Sequence, residues 1–314
     1  VGLRSEKLYY RPKKEREPID FLSKKKVFFT ISLVLIAAGV ITIGVNAGRG
    51  KGAFAYSLEF KGGTATTVTF DKDYSIDEID KEIVPVVEKV TGDNNVQTQK
   101  VAGTNQVIIK TVTLDLDKRE ALNKAMVDNF GVDESKITAE NISSTVSNEM
   151  RRDAVIAVVI ATICMLLYIW FRFKDIRFAT SAVLALLHDV LVVVGFYAIA
   201  RISVGNTFIA CMLTIVGYSI NATIVIFDRI REEMRGKTKS SDIAAVVNKS
   251  ITQTLTRSIY TSLTTFIMVA VLYVMGVSSI KEFALPLMVG VVCGAYSSVC
   301  ITGALWYVMK RFKK

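Results

Sequence analysis

Residues 214–233 read TIVGYSINATIVIFDRIREE. Most of this stretch is apolar enough for a bilayer, yet Tyr218, Ser219 and Asn221 interrupt it, and charges follow from Asp228 onward. Polar side chains at bilayer depth are costly and face protein or water rather than lipid. The stretch therefore predicts a membrane-spanning helix with one polar side, and Asp228-Arg229 as its emerging, solvated end. Ala222 leaves the middle of that polar side uncharged.

The rest of the chain supports a membrane reading. Its 314 residues are 51% hydrophobic with mean hydropathy +0.39, too apolar for an ordinary soluble domain. The net charge of +10 invites a nucleic-acid interpretation, which its distribution excludes. Residues 49–149 carry 12 basic and 17 acidic side chains, while the remainder carries 27 basic and 12 acidic. The positive charge thus lies beside the apolar segments, where it sets topology. Cys164, Cys211, Cys293 and Cys300 all fall inside apolar segments without metal-ligand spacing, so neither a metal nor a disulfide is expected. No cofactor-binding motif and no catalytic constellation appears.

A spanning helix needs about 20 apolar residues. Six stretches qualify: 27–46, then a bundle over 153–309 with spans near 154–171, 178–200, 208–227, 258–275 and 283–309. The first is expected to be a retained span, not a cleaved signal. Nine Lys/Arg precede it, three sit in RFKDIR, six in residues 228–249 and four in the tail 310–314. The two short opposite turns offer only Arg201 and Lys281. The expected orientation puts both termini, the tail 1–26 and the loop 228–252 in the cytoplasm.

Residues 47–152 then form a folded loop on the far side of the membrane. YSLEF and TATTVTF read as strands around a KGG turn, and NVQTQKV and QVIIKTVT as a hairpin around AGTN. SIDEIDKEIVPVVEKV has helical spacing with a Ser75–Glu78 capping box, and Pro85 is expected to kink or end that helix. DKREALNKAMVDNF is a second helix stopping at Gly131. Strands, helix, strands and helix imply a small α+β sandwich.

Polar groups inside spans are functional candidates. Asp189 lies 11 residues past Phe178, about 16 Å along a helix and near mid-bilayer. It is read either as a proton-handling carboxylate or as an interhelical hydrogen bond. His188 is the single histidine; adjacent helix residues point about 100° apart, so the two are not expected to share one partner, and the structural reading is favoured for His188. Thr254, Arg257, Thr261 and Thr264 share a face at i, i+3/i+4 spacing. Arg257 either works inside the membrane or snorkels to the interface. Thr214, Tyr218, Asn221 and Ala222 form the fourth span's stripe, where Asn221 can bond another helix and small residues, Ala222 and Gly217 among them, allow close approach. Gly290 and Gly294 form a GxxxG packing surface.

The segments GYSINATIVIFDRIREEM, LALLHDV, YIWFRFKDIRFA, TLTRSIYTSLTT and GVVCGAYSSVCI, with SLEFKGGT after the first span, resemble the SecF family of the RND superfamily over nearly the whole chain. The resemblance implies six spans with a ferredoxin-like external domain, pairing with SecD, and association with the SecYEG channel, often with YajC. It implies a bacterial cytoplasmic-membrane protein that promotes preprotein translocation with the proton motive force. Two positions depart from the family pattern, which usually has Asp at Ala222 and Asp at Glu59. The Asp replaced by Ala222 is a candidate proton relay in the family. Three explanations stay open: the matching carboxylate of SecD works with Arg257 as counter-ion, Asp189 takes part, or the subunit is a scaffold. An RND-type small-molecule or lipid transporter subunit is the alternative of another class.

Overall fold

The computed structural model describes residues 17–49, 52–93, 96–101, 103–173, 175–235, 242–276 and 278–311. Residues 1–16 of the basic tail, Ala102 of the hairpin turn, Lys174, Lys237, Lys239 and the tail residues 312–314 lie outside it, as does the side chain of Glu59.

The chain is a polytopic helical protein with one inserted sheet domain. Helix α1 (Lys25–Gly48) is followed by β1 (Ala55–Tyr56) and a short α2 (Leu58–Lys61). The sheet domain runs through β2 (Gly63–Thr69), α3 (Ile76–Glu78), α4 (Val84–Thr91), β3 (Gln97–Lys100), β4 (Gln106–Thr111), α5 (Leu116–Phe130) and β5 (Ile137–Ile142). The chain then enters α6 (Ser144–Phe173), α7 (Ile176–Ala200), β6 (Ser203–Val204), α8 (Asn206–Met234), α9 (Ile243–Met275), α10 (Ser278–Tyr296) and α11 (Gly303–Arg311). Six helices among the described residues are long and apolar enough to cross a membrane, with α10 and α11 joined into one.

The four-stranded antiparallel sheet has the order β3-β4-β2-β5, a βαββαβ ferredoxin-like arrangement. Val68, Val107 and Ile109 meet Ile79, Ile83, Val87, Leu122 and Met126 from the helices on one face. Ser75 and Glu78 form the reciprocal cap expected from the sequence. The hydrogen bonds from Lys72 and Ser75 hold the Glu78 carboxyl well down, at about 2. Gly131 closes α5 in the left-handed region, φ 63°.

One local expectation needs correction and two further features go beyond the sequence reading. LEF in YSLEF is not strand: only Ala55 and Tyr56 are extended, and α2 follows. Those two residues pair in parallel with Ser203 and Val204, a tertiary partner that local alternation cannot reveal. Pro85 does not end its helix; a π-turn over Ile79–Ile83 precedes it, and the chain continues helical to Thr91. A proline lacks the N–H an α-turn would use, and widened turns absorb such defects. β5 was also unforeseen, because ITAENI alternates weakly.

In the membrane bundle, α7, α8 and the α10–α11 pair form the centre, while α1 and α6 are largely exposed along their apolar lengths. Two apolar clusters fill the centre. One holds Phe178, Phe227, Ile230, Val247 and Trp306 toward the end carrying both described termini. The other holds Val193, Tyr197, Cys211, Ile215 and Leu287 toward the sheet domain. Helix α1 crosses α7 with backbones in contact: a Cβ built on Gly39 would stand 2.6 Å from the Gly195 Cα. Gly195→Leu is expected to force the helices apart and cost ~1–3 kcal/mol, read as a lowered thermal midpoint in detergent. Gly44→Leu, where a Cβ meets nothing within 4 Å, is the control. Equal midpoints would contradict the close crossing.

Candidate functional site

Asp189 is 1% exposed and sits between the two apolar clusters. Its Oδ2 accepts from the Ser219 hydroxyl of α8 at 2.5 Å and from the Ser297 hydroxyl at 2.7 Å. Its Oδ1 lies 2.9 Å from His188 Nδ1. With the proton on Nδ1 the ring donates and an ionised Asp189 receives three donors. With the proton on the carboxyl, the ring accepts it. One carboxylate thus ties α7 to α8 and to the turn after α10. His188 and Asp189 bond each other rather than a common partner, because an aspartate following a histidine can fold back onto its neighbour's Nδ1. His188 Nε2 is buried without a partner among the described residues. The ligand atoms of His188, Asp189 and Cys293 lie within 4.8 Å of one another, and three of the roughly four carboxylate acceptor sites are engaged by Ser219, Ser297 and His188. Within this chain the carboxylate is therefore held by three partners from its own fold, while His188 Nε2 stays without one among the described residues.

The chain's local geometry builds this network. Residues Ser297–Thr302 form a π-helical turn between α10 and α11. Such turns insert one residue and displace the following side chains, often at functional sites. Ser298 donates to the Gly294 carbonyl at 2.7 Å and meets Thr223 at 3.3 Å, while Thr302 donates to the Ser297 carbonyl at 3.0 Å. A Cβ on Gly290 would lie 2.3 Å from Ile215, and one on Gly294 3.1 Å from the Ser219 Cβ. These glycines bring α10 close enough to α8 for serines to bridge. Sequence reading missed Ser297, Ser298 and Thr223 as partners; the paired serines within GVVCGAYSSVCI were the available signal.

A second polar group faces outward. Tyr218, Asn221, Ala222 and Val225 of α8 and Arg257, Ser258 and Thr261 of α9 line a cleft of about 50 Å³. Arg257, Asn221 and Thr261 are exposed, and Tyr218 has a buried hydroxyl without a partner among the described residues. Among the described residues Arg257 has no ion-pair partner and Asn221 no side-chain hydrogen bond. The structure does not bring Asp189 and Arg257 together: they address different faces of α8. Three of the predicted residues do not line the cleft. Thr254 is buried away from the cleft and bonds back to the Ser250 carbonyl at 2.9 Å. Within this chain no other helix approaches Gly217, since a Cβ there meets nothing within 4 Å among the described residues. Thr264 is exposed beyond the cleft and donates to the Tyr260 carbonyl.

At the charged end of α8, Asp228 accepts from Arg172 of α6 at 2.8 Å. Arg229 donates to Gln253 of α9 at 2.6 Å and pairs with Glu232 and Glu233. The end is therefore more than a solvated terminus; it joins three helices. Asn248 does similar work for the segment before α1, accepting from the Phe21 and Leu22 amides and donating to Asp20.

Comparison with known proteins places this arrangement. A family model described as protein export membrane protein SecD/SecF, C-terminal, matches residues 122–312. The chain is 37% identical to the protein translocase subunit SecF of Petrotoga mobilis over 94% of its length and 98% of the relative's. It is 36% identical to the protein translocase subunit SecDF of Bacillus subtilis, covering 93% of this chain and 38% of that one. The crystal structure of SecDF from Thermus thermophilus, titled a translocon-associated membrane protein, superposes with TM-score 0.80 at 31% identity, over 94% of this chain and 39% of that one. A multi-pass helical protein with these sequence and structural relatives belongs to the SecF family of protein translocase subunits.

Proposed function

We propose that the cleft between α8 and α9 is where this subunit receives a carboxylate of a SecD partner, and that Arg257 is the counter-ion of that group. The observation carrying this reading is an arginine inside a span, exposed beside Asn221, Thr261 and the buried Tyr218 hydroxyl, with the small Ala222 leaving room. A guanidinium facing lipid costs ~2.5–3.5 kcal/mol on insertion scales, so it calls for an opposite charge. The SecDF relatives support a SecD-type partner, since they match 93% and 91% of this chain within longer chains.

Protons then act through the joint site. A proton crossing 100 mV yields ~2.3 kcal/mol, enough to bias a two-state motion. The pair promotes preprotein export across the bacterial cytoplasmic membrane with SecYEG, with YajC as a further associate, and its work is conformational rather than covalent. Both termini and the α8–α9 loop face the cytoplasm, as the placement of Lys and Arg supports, and the sheet domain faces the opposite side. Asp189 serves as the hydrogen-bonded hub that keeps α7, α8 and α10 in register.

Co-expression with a tagged SecD partner tests the pairing. The two chains are expected to purify together and to stimulate secretion into membrane vesicles in a way that uncoupler abolishes. Stimulation by this chain alone, indifferent to uncoupler, would contradict the proposal.

A further inference from the structure

The membrane face opposite the Arg257 cleft holds an apolar groove of about 540 Å³ between α1, α7 and α10. Its origin is steric. The Gly39–Gly195 contact draws α1 onto α7, while α10 stays apart from α1 at this level, leaving a channel walled by Leu35, Ala38, Phe196, Met288 and Val292. One end is closed by Tyr296, whose hydroxyl donates to the Phe28 carbonyl of α1 at 2.8 Å. Phe266 of α9 also lines it, nine residues past Arg257 and hence half a turn out of phase.

We infer that this groove holds one acyl chain of a membrane phospholipid. The helices lining it are spans, so the surrounding medium is hydrocarbon, and the walls offer no partners for the waters that would otherwise fill the space. The volume is many times the roughly 30 Å³ of a water molecule. The groove opens on the membrane face, where apolar walls without packed partner atoms forfeit dispersion contacts that an acyl chain would supply. A partner helix is disfavoured because the unpaired arginine that calls for a partner looks the other way. The occupant has a defined neighbour. Cys293 and Tyr296 form the groove's inner wall, and Cys293 Sγ lies within 4.8 Å of the polar atoms of His188 and Asp189. A bound chain therefore seals the Asp189 hub on its lipid side. The exclusion of a partner helix from the groove rests on the reading of the α8–α9 cleft as the SecD-facing surface.

The test uses the complex with its SecD partner in nanodiscs of phosphatidylglycerol carrying a mid-chain diazirine. After photolysis, labelling of Leu35, Ala38 and Val292 is expected at least fivefold above that of Val159, an equally lipid-facing residue of α6. Ala38→Trp, and separately Val292→Phe, should reduce groove labelling toward the Val159 level and leave Val159 unchanged. Groove labelling no greater than at Val159, labelling indifferent to both filling substitutions, or disulfide cross-linking of Val292→Cys to the partner chain would each overturn the inference.

Discussion

Arg257→Met is expected to abolish the uncoupler-sensitive part of secretion while leaving the protein folded and paired. Methionine keeps most of the apolar stem and removes the charge and its planar donors. Arg257 is exposed and makes no ion pair among the described residues, so little within the chain is lost. What is lost is the counter-ion for the partner's carboxylate, and with it the link between proton movement and conformation. Arg257→Lys should recover part of the function, because a point charge remains but the fork does not. Unchanged secretion in Arg257→Met would return the residue to a snorkelling side chain. Ala222→Asp sharpens the same point. It places a carboxylate in the cleft beside Arg257, and stimulation should then become less dependent on the partner's own intramembrane carboxylate.

Asp189→Leu is expected to have the largest effect on stability. It strips the acceptor from two buried hydroxyls and from the His188 ring. Each unsatisfied buried group costs ~1–3 kcal/mol, although hydrogen bonds between membrane helices average nearer 0.6 kcal/mol in double-mutant cycles. Three groups failing together in one dry layer put the loss at roughly 2–5 kcal/mol. Asp189→Asn should cost less than about 1 kcal/mol: the amide oxygen still accepts from both serines, and the amide nitrogen donates to His188 Nδ1. Steric trapping or thermal unfolding in detergent separates the two variants. The Asn variant should also keep its uncoupler sensitivity, since the hub then works through hydrogen bonds alone. If Asp189→Asn removed that sensitivity without unfolding the protein, Asp189 would be a proton carrier.

The six spans were legible because length and apolarity suffice to identify them. The sheet domain was largely legible too, through the Ser75–Glu78 cap, the Gly131 stop and the hairpin. What stayed hidden has physical reasons. Helices apolar on all sides carry no periodicity to tell the core face from the lipid face. Hence Ser219 and Asn221, two residues apart, could not be assigned to a buried hub and an open cleft. The Gly39–Gly195 crossing escaped notice because neither glycine belongs to a local motif, whereas the Gly290–Gly294 spacing was visible. β1 exists only because Ser203 and Val204 offer it an edge. The Ser297–Thr302 π-turn leaves no mark on composition, yet it aims Ser297 at Asp189.

The central claim is that the α8–α9 cleft faces a partner's membrane helix. Cysteine cross-linking in native membranes tests it most directly, with Ala222→Cys in a chain whose exposed Cys164 is replaced by alanine. Paired with single cysteines scanned along the SecD partner's spans, Ala222→Cys is predicted to form disulfides at positions three or four residues apart on one partner helix. Cross-links confined to a second copy of this chain, or none to any partner span with both proteins present, would contradict the account.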